Sequence, residues 1–441
     1  MAERRTQSLH GWGRTTASVA TIGSATSVAD LSRLVQTAPA GGVLARGMGR
    51  SYGDAAQNAG GLVVPPFQPG RPVELDSGTG LVRVSAGTTI EHLLRELLPL
   101  GRMLPVLPGT RHLTVGGAIA ADVHGKNHHL DGSFGRWVRS LDLVDGEGAV
   151  RTLSADRTPE QFWATVGGMG LTGIITAATL DTVGVTSARM TVRTRRFADL
   201  DSLLDEMGRS AASYHVAWVD AAAHAGFGRG VLDEAEHEHL PGQLTYRGSQ
   251  RVSAPGLGVN LIRPAVTHAF NELWWRRAPR DQTRAVNAHS YFHPLDSVRA
   301  WPRLYGRAGL VQWQFVTPDS GRPIIEPMLR ELVQHGCVPT LVVVKRFGPE
   351  NPAPLSFPRE GWTVAVDLAA GAPGLGGLLD RLDEEVAGSG GRVYLAKDSR
   401  LQPRQLEAMY PSLPSWRETR ALLDPRGVFT SDLGRRLGLS R

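Results

Sequence analysis

One cysteine, Cys337, stands in 441 residues, so no internal disulfide framework can form, and the redox compartment is left open. Placed before Val338, it reads as a small buried residue. Long apolar runs are missing as well. The longest, such as Leu341 to Val344, are strand-sized, which excludes a membrane-spanning helix. Met1 to Ser18 carries Arg4 and Arg5 but no apolar core of signal-peptide length. A cytoplasmic or membrane-peripheral protein is the expectation. No basic stripe interleaved with aromatics occurs, which argues against nucleic acid. The 48 basic and 42 acidic residues leave a net charge of +6, scattered apart from short groups such as Arg193, Arg195, Arg196 and Arg276, Arg277. That balance suits an anionic ligand or membrane surface without requiring either. No internal repeat is visible.

What the chain does have is glycine and proline, 52 and 28 of them, spread along its length. They imply many turns and close backbone contacts in a soluble protein long enough for roughly two to three domains. Asp30 to Thr37 reads as a short helix and Gly42 to Arg46 as a strand. A second strand, Leu81 to Ser85, runs into an amphipathic helix from Thr89 to Leu100, capped by Thr88 or Thr89. Arg139 to Val144 and Gly173 to Leu180 read as further strands. Near residue 185 β-branched and charged residues begin to alternate, the mark of a new sheet. Beyond it the pattern predicts helices at Leu200 to Ser210 and Ile324 to His335. Strands are expected at Val311 to Val316, Thr340 to Arg346 and Trp362 to Asp367. Pro241 to Gln282 reads as a long irregular segment, a binding loop or disorder. Residues 1–185, completed by 392–441, form one expected domain, and 186–391 the other.

Three glycine-dense turns share the first of these. Gly47-Met48-Gly49-Arg50-Ser51-Tyr52-Gly53 is one residue out of step with a Rossmann fingerprint, so a nicotinamide site is unsupported. It can aim successive amides at a diphosphate, or be a plain tight turn. Thr114-Val115-Gly116-Gly117-Ala118-Ile119-Ala120-Ala121 is too small in its side chains to fill a core alone. Such a run admits either a planar ligand or a close backbone neighbour. Gly167 to Gly173 is the third turn. Three such turns point to an extended ligand. His124, His128 and His129 do not make a metal site, because Gly125 disfavours a helix there and no glutamate lies between them. No metal is expected.

The order of these loops resembles the FAD domain of the vanillyl-alcohol oxidase and p-cresol methylhydroxylase superfamily. Within it the chain is most similar to the decaprenylphosphoryl-β-D-ribose 2-oxidase family. Ala45 to Asp54, Pro105 to Thr110, His124 to His129, Pro354 to Pro358 and Ala396-Lys397-Asp398-Ser399-Arg400 carry the likeness, which runs from about Gly11 to Leu437. It implies an α+β, two-domain flavoprotein, with a p-cresol methylhydroxylase-type FAD-binding domain and an antiparallel-sheet substrate domain.

By that resemblance Ala45, Arg46, Gly47, Met48, Gly49, Arg50, Ser51, Tyr52, Gly53, Asp54 and Ala55 wrap the diphosphate. Gly109, Thr114, Val115, Gly116 and Gly117 contact the flavin and ribityl, and Ala121, Asp122, Val123, His124, Ile175 and Tyr394 complete the site. Tyr52 occupies the loop in which several superfamily members tether flavin through histidine, so FAD is expected to be non-covalent. Hydroxyl oxidation needs a base and a hydride acceptor, with charge stabilised as the alkoxide develops. Lys397, His124 and Lys126 are the catalytic candidates, Lys397 in the slot of the family's essential lysine. Gln312, Gln314, Lys345, Thr363, Ala365 and Trp218 are the substrate candidates. Gln312 and Gln314 share a strand face, and Lys345 suits a phosphate. Trp218 and Trp274-Trp275 are either covers for a lipid-like chain or core aromatics.

The implied reaction oxidises the 2-hydroxyl of a polyprenylphosphoryl-β-D-ribose to the 2-keto sugar. A separate NAD(P)-dependent keto-sugar reductase would complete an epimerisation to the arabinose form, for cell-wall arabinan. Peripheral membrane contact and a periplasmic face belong to the same implication. Thr363, Ala365 and Phe292 depart from the asparagine, cysteine and tyrosine of the best-known members. Ala365 removes a thiol, so covalent capture by thiol-directed inhibitors is not expected. Two rivals stand beside this reading: an FAD-dependent oxidase of free polyols or aldonolactones, and a non-catalytic FAD-binding protein.

Overall fold

The computed structural model describes residues 5–67, 73–222, 226–239, 244–246, 248 and 252–440. Arg4 and parts of the Pro241–Gln282 segment lie outside the described residues. The fold is α+β. In the first lobe, Arg5–His10, Ala17–Ile22, Leu62–Val64 and Val43–Ala45 form a four-stranded sheet in that order. Beside it stands an antiparallel sheet ordered Val73–Leu75, Leu81–Ser85, Ile174–Asp181, Val138–Val144 and Val150–Leu153. Ile174–Asp181 alternates buried and half-buried residues along its whole length, as the period of a strand with one covered face requires.

The helix Ile90–Leu97 is capped by Thr89, whose side chain accepts from the amide of His92. It buries Ile90, Leu93, Leu94 and Leu97 against this sheet's core. Each such side chain contributes roughly 1.5–3 kcal/mol of apolar burial.

The second lobe is built on eight antiparallel strands. In order across the sheet they are Asp281–Asn287, Arg189–Phe197, Gly230–His237, Tyr214–Val219, Leu341–Phe347, Gly361–Ala369, Leu310–Thr317 and Arg392–Val393. Helices Leu200–Arg209, Ile325–Gln334 and Leu375–Gly388 pack into its largest core cluster.

Two features differ from expectation. Arg392–Val393 pairs with Leu310–Thr317, so the tail begins as an edge strand of the second lobe's sheet before crossing to the first. There Trp416 donates to the carbonyl of Ala164, and Phe429 bridges to Val43. The segment read as irregular contains a 14-residue helix, Pro264–Arg277. Pro264 at its first position suits a helix start. The residues the helix buries, Thr267 and Asn271, are polar.

Candidate active site

A cavity of about 360 Å³ runs between the lobes. Ala45 to Tyr52 form one wall of it, and one face of three strands of the second lobe's sheet forms another. Among the described residues, none of the amides from Gly47 to Ser51 has an intramolecular acceptor. These five successive donors, with Gly49 at φ +61°, form an anion nest. The Arg46 guanidinium fixes the turn by donating to the carbonyls of Ala56 and His10. Arg50 donates to the His112 carbonyl and lies over the Trp12 ring at 3.8 Å. A Cβ on Gly47 would stand 2.5 Å from Thr114 Oγ1, whereas one on Gly109 or Gly170 would meet nothing within 4 Å and would project into the cavity.

Thr114 caps the six-residue helix Val115–Ala120 by accepting from the amide of Gly117. The bare Gly116-Gly117 surface of that helix, with Ala121, Val123, Ile175 and Tyr394, lines the cavity. A row of unpaired amides beside a wall of glycines fits a flavin dinucleotide: Gly47 to Ser51 would hold its diphosphate, and Gly109, Gly116 and Gly117 its ring system.

The second lobe supplies the chemistry. Across its sheet Gln312 pairs with Asp367, which pairs in turn with Leu341, and Gln314 pairs with Ala365, which pairs with Val343. The register therefore puts these side chains on one face, and all of them except Asp367 line the cavity. Gln312 Nε2 donates to Asp367 Oδ1 at 2.6 Å. Gln314 Nε2 donates to Thr363 Oγ1 at 3.2 Å and to His124 Nε2 at 3.1 Å. Because Nε2 is the acceptor, the His124 proton sits on Nδ1, which is buried without a partner. Burial, with Lys345, His128 and Lys397 nearby, holds this imidazole well below its usual range and so neutral. It can donate to a ligand but has no basic nitrogen free.

Lys397 rests over the Tyr52 ring at 3.8 Å. Burial pushes its ammonium down to about 7, with Asp367 opposing the shift and Lys345 adding to it. Lys345 is pushed down to about 8 by burial. Burial raises Asp367 to about 6, against the pull of Gln312 and Lys397, and its Oδ2 has no partner.

Several expected site residues support the cavity from behind rather than lining it. A Cβ on Gly53 would lie 1.8 Å from the Asp398 carbonyl oxygen. Asp54 binds Arg436 at 2.8 Å, and Arg436 binds Asp398 at 2.9 Å. Gly53 and Asp54 thus seat Lys397 and are not brought to the nest. Val115 is a core residue of its helix. Asp122 is buried, accepting from Ser133, the Gly135 amide and Asn351 at 2.7–2.8 Å and from Ser356 as well. Thr363 lies beneath Gln314 and donates to the Phe315 carbonyl at 3.0 Å. Trp218 pairs with Val343 one strand beyond the cavity wall.

Lys126 is the clearest correction. The chain turns at Lys126 and Asn127, so the side chain leaves the His124 face, donates to the Tyr291 carbonyl and covers that ring at 3.8 Å. Phe292, also off the cavity, packs with Tyr214 and Tyr291. Sequence reasoning missed Asp367, Trp301 and Asp296. Strand alternation from Ala365 would have found Asp367. Asp296, which accepts from Thr110 Oγ1 at 2.7 Å and the Arg111 amide at 2.9 Å, lies in a short 3₁₀ turn with no periodic signal.

Residues 20–154 match a family model described as an FAD binding domain. Over 453 aligned residues the chain is 41% identical to the decaprenylphosphoryl-β-D-ribose oxidase of Mycolicibacterium smegmatis, covering 98% of each chain. The chain belongs to this oxidase family. It is an FAD-dependent oxidoreductase acting on CH–OH groups. It is also 39% identical to a Streptomyces coelicolor protein encoded in the mprA 5′ region, over 80% of this chain and 100% of that one. An alditol oxidase from a Streptomyces species is 25% identical over 81% of both chains.

Proposed function

We propose that the chain oxidises the 2-hydroxyl of a polyprenylphosphoryl-β-D-ribose to the 2-keto sugar. The carrying observation is that Lys345 and Lys397 line the same cavity as the glycine amides. Among the described residues the one acid lining the cavity, Asp296, is engaged by Thr110 and Arg111. The Lys345 ammonium in a largely apolar wall that includes Leu341, Val343 and Leu295 favours a phosphorylated, lipid-linked sugar over a free polyol.

Removing two hydrogens from a secondary alcohol sends a hydride from carbon and a proton from oxygen, and bound FAD supplies the hydride acceptor. Lys397 takes the proton. His124 is excluded as base by its Gln314 bond, and Lys126 by its position. Once protonated, Lys397 has Asp367 and the Tyr52 face to hold the charge. Lys345 binds the phosphate, Gln312 and Gln314 position the sugar, and His124 Nδ1 donates toward the bound molecules.

FAD is held without a covalent bond, since no histidine stands at the Tyr52 position and burial keeps the Tyr52 phenol protonated. The keto product requires a separate NAD(P)-dependent reductase to reach the arabinose form. Among the described residues no helix is long and apolar enough to cross a membrane, and the protein meets its lipid substrate from the periphery.

Anaerobic titration followed at the flavin absorbance tests the reading. Short-chain polyprenylphosphoryl ribose should bleach the flavin, while xylitol and gulonolactone should not. Bleaching by the free polyols alone would overturn the substrate assignment, and unchanged bleaching in Lys397→Ala would remove Lys397 from the mechanism.

A further inference from the structure

The helix Pro264–Arg277 is built inside out. Its buried positions are Thr267 and Asn271, 4% and 3% exposed. Its outward side carries Val266, Phe270, Leu273 and Trp274, exposed to 49%, 55%, 47% and 49%. At 100° per residue those four positions fall within about one third of the helix circumference, a single apolar stripe. Phe270 and Trp274 stack along it, ring centroids 6.1 Å apart and 17° between planes.

The inner side is held by polar chemistry. Asn271 donates to Asp220 at 2.8 Å, and Glu272 accepts from Arg229 at 2.7 Å. Trp275 turns inward, its carbonyl accepting from Arg196 and its ring lying beneath Arg196 and Arg229, each 5.2 Å away. These anchors fix which side faces outward. The exposed stripe is therefore not a helix free to roll its apolar side into the core.

We infer that this stripe is the surface by which the protein lies on an anionic lipid bilayer. An apolar stripe in water is unfavourable, and a bilayer's headgroup–acyl boundary removes it from water. Charge selects the lipid. Arg263 at the helix start and Arg277 in its last turn are exposed, as is Arg276, which pairs with the helix's single acid, Glu272. Guanidiniums at both ends of a sunken apolar stripe meet headgroup phosphates, and anionic lipids most strongly. The segment leading into the helix is also apolar and exposed at Leu257 and Val259, 64% and 53%.

The position serves the site. Ile262, two residues before the helix, packs in one cluster with Tyr52, Tyr305, Leu310 and Trp301. Trp301 and Tyr52 line the cavity. A bilayer under the helix therefore adjoins that wall. The docking surface stands on the helix's polarity alone; that it delivers the lipid-borne sugar to the cavity rests on the reading proposed above.

The test uses the full-length holoprotein and vesicles without any sugar. Protein is sedimented with vesicles of phosphatidylcholine alone and of phosphatidylcholine with phosphatidylglycerol. It should pellet with the anionic vesicles, and tryptophan emission should shift to the blue. Phe270→Ser/Trp274→Ser should cut partitioning by about tenfold or more. Arg276→Glu/Arg277→Glu should abolish the preference for phosphatidylglycerol. FAD absorbance and Tm check that each variant is folded; if the serine variant loses its flavin, the arginine pair carries the test.

Wild-type protein left in the supernatant with both vesicles overturns the inference, as does unchanged binding by the folded variants. A dimer seen by light scattering without lipid, and dissolved by Phe270→Ser/Trp274→Ser, would make the stripe an interface between two copies instead. None of these outcomes depends on which sugar bleaches the flavin.

Discussion

Replacing Lys397 with methionine should make the flavin-free protein more stable while abolishing its chemistry. Burial moves the ammonium from 10.5 to about 7. A shift of that size corresponds to roughly 5 kcal/mol at about 1.36 kcal/mol per unit. The sign follows from proton counting. Below about pH 7 the side chain is charged in folded and unfolded chains alike, and the whole penalty is present. Between about 7 and 10.5 the folded chain has released a proton that the unfolded chain keeps, so stability rises with pH. Near pH 9.5 only about one unit, ~1.4 kcal/mol, remains.

Methionine is similar in length and carries no charge. It leaves Asp367 without its cation, which trims the gain at about pH 6.5 to roughly 2–4 kcal/mol. Near pH 9.5 the gain should shrink to about 1 kcal/mol or less. Urea unfolding of apoprotein at the two pH values measures both. A pH-independent gain, or a loss near pH 6.5, would refute the burial argument. Reloaded with FAD, the variant should show flavin reduction slowed by a factor of at least ~10².

The rate of flavin reduction by substrate should rise with pH through about 7, the range in which Lys397 becomes a free amine. Asp367→Asn should move that limb to lower pH, because the aspartate holds the lysine's pKa up; a limb that stays put would break the link between them. Gly47→Ala drives a Cβ to 2.5 Å from Thr114 Oγ1. FAD affinity measured by fluorescence should fall by about tenfold to a hundredfold, and wild-type affinity would dismiss the nest. Acid precipitation should leave the yellow colour in the supernatant, whereas a coloured pellet would mean a covalent flavin.

Legibility in the sequence tracked how local the cause was. Ile90–Leu97 was readable because its cap and four leucine or isoleucine positions lie within one short stretch. Leu310–Thr317 was readable for the same reason, and with it the shared face of Gln312 and Gln314. Lys126, taken over from the family likeness alone, leaves the cavity because the chain turns after His124, which no local pattern announces. Asp54 looked like a ligand because it adjoins the nest, yet its partner Arg436 lies 382 residues away. The helix Pro264–Arg277 escaped notice because the proline, glycine, arginine and tryptophan of its segment read as a loop, although Val266, Phe270, Leu273 and Trp274 keep helical spacing. Its stripe points out.

The buried carboxylate of Asp122 collects donors from both lobes, Ser133 and Gly135 on one side and Asn351 and Ser356 on the other. Such a clasp makes the lobes poor candidates for independent exchange. A chimaera that grafts a foreign sugar-recognising half onto this flavin half must carry the loop at 351–356 together with its matching acceptor. Otherwise a carboxylate is stranded in an apolar seam, and the hybrid fails at assembly before any question of specificity arises.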